Sequence, residues 1–422
     1  MKINVSKSML NGEISVPGSK SHTIRAIAVA AMANGVSKII APLVSEDTLS
    51  ALKAASAFGA KIEKSPGIWT ITGTGGKITP PNDTVDIGNS GTSLRIFSAL
   101  ASLSSAKISF DGDNSLRTRL MQPLLSALSP LGVSSESANG KCPLSLLGPL
   151  KGGKTRIEGK SSQFVTALLL SCPLAPQDSA VEVFNLNEKP YVEITIDWMK
   201  KQNLRFKYNE AMTLFEIEGR QHYTPFEMAI PADFSTACFP LVASAVTGGT
   251  IRINNLDFND RQGDKEVFSF MEKMGMKIET TSQYTIVSPG GRGFEGIELD
   301  LNSTPDALPA LAVAACFAKG KTLLGNVPQA RIKETDRIAC MTKELRKMGA
   351  KIEELEDGMI IYGGHALHGT EVESYNDHRI AMALSIAGLG ADATTTVNNA
   401  ESASVTYPDF YEDIRRLGAL FF

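Results

Sequence analysis

Four short segments of this 422-residue chain concentrate charged side chains that could bind anions. They are GSKSHTIR with Lys20 and Arg25, LRTRL with Arg117 and Arg119, ARIKETDR with Arg331, Lys333, Glu334, Asp336 and Arg337, and NDHR with Asp377, His378 and Arg379. Arginine offers a planar pair of donors to phosphate or carboxylate, and lysine offers a point charge. Cations gathered at one site would repel each other without anions between them. The pattern therefore indicates a substrate with more than one anionic group.

A repeat of about 72 residues positions these segments. Six similar stretches each open a predicted helix, and successive anchors lie 71 or 72 residues apart, at Lys20, Gly91, Ser162, Phe234, Asp306 and His378. A strand, a second helix and a hairpin follow, so each unit is predicted as βαβαββ. Helix N-termini carry unpaired N–H groups and favour anions. The repeat and the charges therefore indicate the same places.

Six such units divide naturally into two lobes of three, within a predicted α/β fold. We expect one lobe at 16–225 and a second at 1–15 plus 226–422, with the chain crossing twice. The sixth unit lacks its hairpin because the chain ends at Phe422, and the N-terminal KINVSKSMLNGEISVPG could supply the missing strands. The segments LRTRL and ARIKETDR are expected on the second helices of the second and fifth units.

Composition argues against several classes of partner. The net charge of −3 gives no reason to expect nucleic-acid binding. No apolar run reaches the roughly 20 residues of a membrane span, and MKINVSKSML lacks the apolar core of a signal peptide. The five cysteines are scattered, so no structural zinc or other metal is expected. We expect a monomeric, cytoplasmic protein without a cofactor.

Two segments partly match nucleotide-binding motifs but lack residues that those motifs require. A phosphate loop requires glycine directly before lysine, and here Ser19 separates Gly18 from Lys20. GNSGTSLR lacks the glycine spacing of a dinucleotide site. Neither kind of site is favoured.

Six motifs together resemble those of the 5-enolpyruvylshikimate-3-phosphate synthase family, in the family's order from Lys20 to Asp409. They are PGSKSHTIRA, GNSGTSLR, SSQFVTALLL, TPDALPA, RIKETDRI and YNDHRIAMA. The resemblance implies two similar lobes, each of three βαβαββ units, with helix N-termini facing an interlobe cleft (an inverse α/β barrel). It implies transfer of the enolpyruvyl group of phosphoenolpyruvate to the 5-hydroxyl of shikimate 3-phosphate by addition and elimination, on the shikimate pathway to chorismate and aromatic amino acids. It also implies inhibition by glyphosate at the phosphoenolpyruvate site, where Gly91 leaves room.

The resemblance also implies the site residues. Those expected to bind shikimate 3-phosphate are Lys20, Ser21, Arg25, Ser161, Ser162, Gln163, Tyr191, Asp306, Gln329 and Lys333. Those expected to bind phosphoenolpyruvate are Lys20, Gly91, Arg119, Gln163, Arg337 and Arg379. The catalytic residues implied are Asp306 as base for the hydroxyl, Glu334 for proton transfer at the methylene carbon, and Lys20, while His378 could support its neighbours.

Three positions depart from the family pattern. Val405 stands where the family often has a lysine, which removes one cation from the phosphoenolpyruvate site. Gln329 stands where many members have asparagine, and Glu188 where many have serine. A backbone contact could survive the change at Glu188, but a hydroxyl contact could not.

Structural interpretations stay open beside the catalytic ones. Asp306 could have no role beyond a favourable interaction with a helix dipole, and Ser161 could be an ordinary N-cap residue without a role in binding. Glu334 could form a surface ion pair with Arg337 at i,i+3, and His378 could merely orient its neighbours. Asp233 is interpreted as a capping or hinge residue.

Two other functions stay open as well. The related transferase that acts on UDP-N-acetylglucosamine usually carries a reactive cysteine in the loop matching DGDNSLRTRL, but no cysteine lies between 111 and 120. A non-catalytic anion-binding protein of the same fold would not need Asp306 and Glu334 together with the cations.

Overall fold

Five of the six repeat anchors are the first residues of α-helices in the computed structural model, which describes residues 1–291 and 293–422. The α-helices are Lys20–Met32, Glu46–Ala57, Gly91–Ala101, Gln122–Leu128, Ser162–Ser171, Lys189–Lys201, Phe234–Thr247, Glu266–Met274, Leu308–Phe317, Arg337–Lys347, His378–Gly390 and Phe410–Arg416. The sixth anchor, Asp306, lies in a 3-10 turn directly before Leu308–Phe317. Pro309 has no N–H for an α-helical hydrogen bond at this point, which accounts for the later start.

Further 3-10 turns connect the main elements. Together with the turn at Asp306 they are Leu116–Thr118, Ser129–Leu131, Cys172–Leu174, Gly263–Lys265, Pro305–Ala307, Pro328–Ile332 and Ala400–Val405.

The chain divides into two units, which we call the continuous unit, Gly18–Ile230, and the discontinuous unit, Met1–Pro17 with Pro231–Phe422. Over the described residues, each unit contains three four-stranded sheets. In four sheets the strand before an anchor helix pairs in parallel with the strand after that helix. In the other two the partners are exchanged: Val36–Ile40 pairs with Glu227–Ala229, and Ile251–Asn254 pairs with Gly12–Ser15. Two antiparallel strands complete each sheet, and they form a hairpin in all but the sixth. The predicted βαβαββ pattern and the α/β fold class are confirmed.

Hydrogen-bonded neighbours set the order of the strands from one edge of each sheet to the other. The sheets of the continuous unit are Glu227–Ala229, Val36–Ile40, Ile68–Thr72, Lys61–Ser65; Val85–Asp86, Lys107–Asp111, Lys141–Leu147, Ser134–Ala138; and Gly153–Glu158, Ser179–Phe184, Leu214–Ile217, Phe206–Tyr208. Those of the discontinuous unit are Gly12–Ser15, Ile251–Asn254, Tyr284–Pro289, Met276–Thr280; Glu298–Asp300, Gly320–Gly325, Gly358–Gly363, Lys351–Leu355; and Glu371–Glu373, Thr395–Asn398, Lys2–Ser6, Leu420–Phe421.

The N-terminal segment completes two different sheets. Strand Lys2–Ser6 pairs antiparallel with Thr395–Asn398 and with Leu420–Phe421, so it supplies a missing strand of the sixth unit as predicted. Strand Gly12–Ser15 instead pairs with Ile251–Asn254 in the fourth unit. The prediction that the whole segment completes the sixth unit was wrong, because Leu420–Phe421 already provides that sheet's last strand.

LRTRL lies before the second helix of its unit, and ARIKETDR reaches the second helix of its unit only at Arg337. Arg117 is in the 3-10 turn Leu116–Thr118, and the helix that follows begins only at Gln122. Pro123 is tolerated only in the first turn of a helix and so fixes this start. In ARIKETDR the helix begins at Arg337, because the Asp336 carboxylate accepts a hydrogen bond from the N–H of Ala339 at 3.0 Å. The expected placement was therefore wrong for LRTRL and, apart from Arg337, for ARIKETDR.

Each unit has its own hydrophobic core around its anchor helices. In the discontinuous unit, helices Phe234–Thr247, Leu308–Phe317 and His378–Gly390 pack against one another and are buried on nearly every face. A helix that is apolar on all faces is expected in a core. The alanines of these three helices allow the helix axes to approach closely. These rigid cores fix the helix starts on which the charged residues stand. Within the described residues, none of the helices combines the length and the apolar character that a membrane crossing requires.

Candidate active site

Arg25, on the first anchor helix, is a buried cation that contacts no carboxylate among the described residues. Its side chain is 2% exposed. It donates hydrogen bonds to the carbonyl oxygens of Ser21 (2.8 Å) and Tyr191 (2.9 Å) and to the hydroxyls of Thr166 (3.1 Å) and Thr195 (2.9 Å). Burial lowers the pKa of the Arg25 guanidinium to about 10, so it is still charged at neutral pH. A buried cation held by neutral groups alone is suited to receive an anion.

Lys20 begins the same helix and is held by an acid of the next helix. Its Nζ lies 3.1 Å from Oδ2 of Asp47, and both side chains are largely buried. The ion pair directs the ammonium group beside the helix N-terminus, where anions are favoured.

Gly91 allows two guanidinium groups to lie against the start of the second anchor helix. A Cβ built on Gly91 would lie 2.9 Å from Nη1 of Arg95 and 2.9 Å from Nη1 of Arg119. Arg119 donates through Nη1 to the carbonyl oxygen of Asn89 at 3.1 Å, and through Nη2 to Oδ1 of the same residue. Arg95 donates through Nη1 to Oε1 of Gln163, and its guanidinium stacks 5.0 Å from the ring centre of Phe164. Both arginines are buried, so Gly91, Arg119 and Gln163 come together with Arg95.

The start of helix Ser162–Ser171 is capped from elsewhere in the chain. The Glu188 carboxylate accepts hydrogen bonds from the N–H of Ser162 at 3.1 Å and from its hydroxyl at 2.7 Å. Ser161 occupies the N-cap position, but its side chain makes no capping hydrogen bond. Ser161 is therefore the N-cap residue by position only, and the side-chain acceptor for the N–H of Ser162 is Glu188.

A second cluster, in the discontinuous unit, is built around the guanidinium of Arg337, which is 1% exposed. Asp377 accepts from its Nε at 2.8 Å, Asp306 from Nη1 at 2.8 Å and Glu334 from Nη2 at 2.6 Å. Burial alone would lower the pKa of Arg337, but the carboxylates of Asp377, Glu334 and Asp306 outweigh it and raise the pKa above its ordinary value. The Glu334–Arg337 ion pair exists, yet it is largely buried and not a surface pair.

Asp306 brings three cations together. Besides Arg337, its Oδ2 accepts from Nη2 of Arg379 at 3.0 Å, and its Oδ1 lies 3.7 Å from Nζ of Lys333. Its carboxylate is thus held by charge from two other segments of the chain. Complementing a helix dipole does not by itself account for this arrangement.

His378 and Gln329 lie in the same unit. His378 is buried, with Nδ1 3.9 Å from Oδ1 of Asp377, which also caps the helix through the N–H of Arg379. Gln329 donates to the carbonyl oxygen of Asn302 at 2.9 Å, while its buried Oε1 has no hydrogen-bond partner among the described residues. An acceptor of this kind can take a hydrogen bond from a ligand hydroxyl.

The residues expected at the site thus divide between the units. The continuous unit carries Lys20, Ser21, Arg25, Gly91, Arg119, Ser161, Ser162, Gln163 and Tyr191. The discontinuous unit carries Asp306, Gln329, Lys333, Glu334, Arg337, His378 and Arg379. Val405 ends the 3-10 turn Ala400–Val405 of the discontinuous unit. The predicted capping role of Asp233 is confirmed, since its carboxylate accepts from the N–H of Thr236 at 3.1 Å.

Comparisons with known proteins agree over nearly the full chain. The family model described as EPSP synthase (3-phosphoshikimate 1-carboxyvinyltransferase) matches residues 5–414. A protein of Acetivibrio thermocellus named 3-phosphoshikimate 1-carboxyvinyltransferase is 46% identical over 421 residues, 99% of each chain. The chain belongs to the EPSP synthase family. A relative of the same name from Ruminiclostridium cellulolyticum is 44% identical over 420 residues, again 99% of each chain.

Solved structures of EPSP synthases share the fold. An EPSP synthase of Acinetobacter baumannii, at 28% identity, superposes with a TM-score of 0.84 and covers 100% of this chain and 99% of its own. Membership of the family and the two-lobe inverse α/β fold inferred from the sequence are confirmed.

Four residues of these clusters were not assigned a site role from the sequence. Arg95 stands within GNSGTSLR, where its position on the anchor helix with Gly91 was the available signal. Asp47 pairs with Lys20, 27 residues away in the sequence, and Glu188 pairs with Ser162, 26 residues away. Asp377 pairs with Arg337, 40 residues away. No local pattern indicates such pairs, which depend on the packing of separate helices.

The cysteines of this EPSP synthase family member are free and mostly buried. Burial raises the pKa of Cys142 to about 12, that of Cys172 to about 11, that of Cys316 to about 12 and that of Cys340 to about 11, and it also raises that of Cys238. Thiols of this kind are poor nucleophiles at neutral pH. In the described part of the chain, no group of three or more His, Cys, Asp or Glu side chains is placed to hold a metal ion.

Proposed function

We propose that this chain transfers the enolpyruvyl group of phosphoenolpyruvate to the 5-hydroxyl of shikimate 3-phosphate and releases phosphate. The observation that carries the proposal is the Asp306 carboxylate, held between Arg337, Arg379 and Lys333, with Glu334 on the same Arg337 guanidinium. Two carboxylates and three cations in one cluster can both move protons and bind anions. Family membership supports this activity.

In the continuous unit, the proposed roles are in substrate binding. Arg25 would meet an anionic group of shikimate 3-phosphate, because its buried charge faces only neutral acceptors. Ser161 and Ser162 would bind the phosphate of the same substrate through a helix N-terminus. Ser21, Gln163 and Tyr191 would contact the same substrate, as the family resemblance implies.

Gly91, Arg119 and Lys20 would bind phosphoenolpyruvate. Arg119 is placed against the helix start at Gly91 by Asn89, so its guanidinium is already oriented. Gln163 accepts from Arg95, which connects this group to the Ser162 helix. A preorganised group loses less entropy when an anion binds.

In the discontinuous unit, the proposed roles are in proton transfer. In the addition step, the 5-hydroxyl oxygen bonds to the phosphate-bearing carbon of phosphoenolpyruvate, and Asp306 takes the hydroxyl proton. The methylene carbon gains a proton, through Glu334, and becomes a methyl group. Lys333 and Gln329 would contact the shikimate side, while Arg337 and Arg379 would face phosphoenolpyruvate, with His378 holding their neighbours.

The elimination step restores the enol ether. The bond between that carbon and the phosphate oxygen breaks, the methyl group loses a proton to Glu334, and the double bond returns. Cations such as Lys20 and Arg119 stabilise the charge of the departing phosphate. The proton that Asp306 took from the hydroxyl leaves with the phosphate, so atoms and charge balance without an oxidant or reductant.

The neighbouring function on UDP-N-acetylglucosamine is not favoured. The family model and the named relatives are those of the shikimate enzyme. Arg117 in the corresponding loop is paired with Asp111 at 2.6 Å, and no cysteine lies within 111–120. A monomeric state and a cytoplasmic location stay predictions, and light scattering tests the first.

A phosphate-release assay tests the proposal. Purified protein is incubated with phosphoenolpyruvate and shikimate 3-phosphate, with each substrate alone, and with UDP-N-acetylglucosamine in place of shikimate 3-phosphate. We expect phosphate only from the first mixture, with an equal amount of enolpyruvyl product by mass spectrometry. Release with UDP-N-acetylglucosamine, or no release from any mixture, would contradict the proposal.

A further inference from the structure

Glu188 places a carboxylate on the donors at the start of helix Ser162–Ser171. Both oxygen-to-donor distances, 3.1 Å to the N–H and 2.7 Å to the hydroxyl of Ser162, are those of good hydrogen bonds. Glu188 is 1% exposed and Ser162 is 2% exposed. The carboxylate therefore occupies both the N–H and the hydroxyl of Ser162 at this helix start.

The backbone at Glu188 is held in an unfavourable conformation. Its φ of 57° and ψ of 41° are left-handed, which disfavours a residue with a long side chain. Glu188 directly precedes helix Lys189–Lys201 but makes no capping hydrogen bond to it. The left-handed backbone thus lies at the start of its own helix, while the side chain contacts Ser162.

A buried cation lies beside the same helix and is not neutralised by this carboxylate. Arg25 contacts Thr166, one turn beyond Ser162, and the carbonyl oxygen of Tyr191, three residues beyond Glu188. Its lowered pKa arises from burial, opposed only by Tyr191. The region thus holds one anion on the helix start and one cation that only neutral groups satisfy, an arrangement that an incoming anion would rearrange.

We propose that Glu188 is an internal competitor of the substrate phosphate. The inference rests on the proposed function, which assigns the phosphate of shikimate 3-phosphate to Ser161 and Ser162. A phosphate and the Glu188 carboxylate cannot share the same N–H and hydroxyl donors, because their like charges repel at this distance. Binding of the substrate therefore displaces Glu188 from Ser162, and the free energy of that displacement weakens the affinity. Glu188 sets the affinity for the phosphorylated substrate.

Substitutions that remove the charge separate competition from simple capping. Glu188→Gln keeps an oxygen acceptor for Ser162, and Glu188→Ser removes the long side chain. If Glu188 competes, both variants bind shikimate 3-phosphate more tightly, by about 3- to 30-fold, the range expected for a charge at a helix N-terminus. If Glu188 is only a cap, the variants lose stability and bind the substrate equally well or more weakly.

The experiment is titration calorimetry of wild type, Glu188→Gln, Glu188→Ser and the control Glu193→Gln, which removes a carboxylate from the same helix without contacting Ser162. Each protein is titrated with shikimate 3-phosphate and with shikimate, which lacks the phosphate. We expect the dissociation constant to fall only for the phosphorylated ligand and only in the Glu188 variants. An unchanged or higher constant in both Glu188 variants overturns the inference.

Turnover of wild type with both substrates, measured in parallel, separates the two proposals. Wild-type turnover with unchanged binding in the Glu188 variants rejects the internal competitor and leaves the proposed function standing. Absence of wild-type turnover and of shikimate 3-phosphate binding rejects both. Circular dichroism and a thermal melt of each variant show whether a weaker binder is simply unfolded.

Discussion

Asp377 accepts two hydrogen bonds from the guanidinium of Arg337, at 2.8 Å from Nε and 3.2 Å from Nη2, and neither side chain is more than 1% exposed. The same carboxylate accepts from the N–H of Arg379 at 2.9 Å and so caps helix His378–Gly390. Asp377 therefore fixes both the arginine that holds Asp306 and Glu334 and the helix that carries Arg379. Asp377 thus contributes to the placement of both proposed catalytic carboxylates.

Replacing Asp377 by asparagine should destabilise the discontinuous unit. The change leaves the buried Arg337 guanidinium with less compensating charge, and breaking a buried pair in this way costs about 3–5 kcal/mol. Urea unfolding measures the loss. Asp336→Asn is the control, because Asp336 also caps a helix but pairs with the partly exposed Arg331, and its loss should be about 1 kcal/mol. Equal losses in the two variants would contradict the argument.

Asp306→Asn should abolish most of the turnover while leaving the fold intact. Asparagine keeps the shape of the side chain but cannot take the hydroxyl proton, so we expect a fall in kcat of at least about 10²-fold. Asp392→Asn, at an exposed pair with His368 in the same unit, is the control. A kcat for Asp306→Asn within threefold of wild type would rule out the proposed base.

Gly91→Ala should weaken glyphosate inhibition more than phosphoenolpyruvate binding. The new methyl group would lie 2.9 Å from guanidinium nitrogens of Arg95 and Arg119, so both guanidinium groups must shift. Glyphosate is longer than phosphoenolpyruvate and leaves less room for that shift. The measurement is the ratio of the inhibition constant to the KM for phosphoenolpyruvate. At Gly325 a Cβ would meet its nearest neighbour only at 3.7 Å, so Gly325→Ala should leave the ratio unchanged. A ratio that does not rise in Gly91→Ala would refute the steric argument.

Arg25→Gln should weaken binding of shikimate 3-phosphate by about 10- to 100-fold, the range for losing a hydrogen bond to a charged group. The buried guanidinium contacts no carboxylate among the described residues, and the proposed function assigns an anionic group of the substrate to it. Calorimetry or the shift in melting temperature on adding the substrate measures the effect. Arg205→Gln, at an exposed pair with Glu218, should bind like wild type. Comparable binding by both variants would count against a contact with Arg25.

The five cysteines should resist alkylation in the folded protein. Burial raises the pKa of four of them to between about 11 and about 12 and also raises that of Cys238, so little thiolate is present at pH 7.5. Mass spectrometry after iodoacetamide should find all five modified in urea and none after the same time in buffer. Rapid labelling of any of the five in the native protein would contradict this prediction.

The sequence predicted the helix starts well because they depend on local chemistry. The anchors Lys20, Gly91, Ser162, Phe234 and His378 each begin a helix, since small or capping residues precede an apolar stretch. The start at Asp306 is shifted by Pro309, which local reasoning could have recognised. The positions of LRTRL and ARIKETDR were misjudged because a 3-10 turn and an α-helix have similar side-chain spacing over a few residues.

The pairings of the charged side chains could not be predicted. Glu188 was noticed only as a departure from the family pattern, and its contact with Ser162 depends on two helices meeting. No site role was predicted for Arg95, because a single arginine on an amphipathic helix does not by itself indicate a binding site. Which sheet receives strand Gly12–Ser15 is likewise a question of topology, since Lys2–Ser6 and Gly12–Ser15 have equally short, alternating sequences.

The pairing of strand Lys2–Ser6 with Thr395–Asn398 and Leu420–Phe421 sets an order for biosynthesis. The continuous unit, Gly18–Ile230, leaves the ribosome as an uninterrupted stretch and can assemble while the rest is still being translated. Strand Lys2–Ser6 emerges early but must wait, without its neighbours, until both distant strands have been made. The earliest strand therefore takes its place among the last, and a nascent chain halted short of residue 395 carries an open sheet edge for a chaperone to cover.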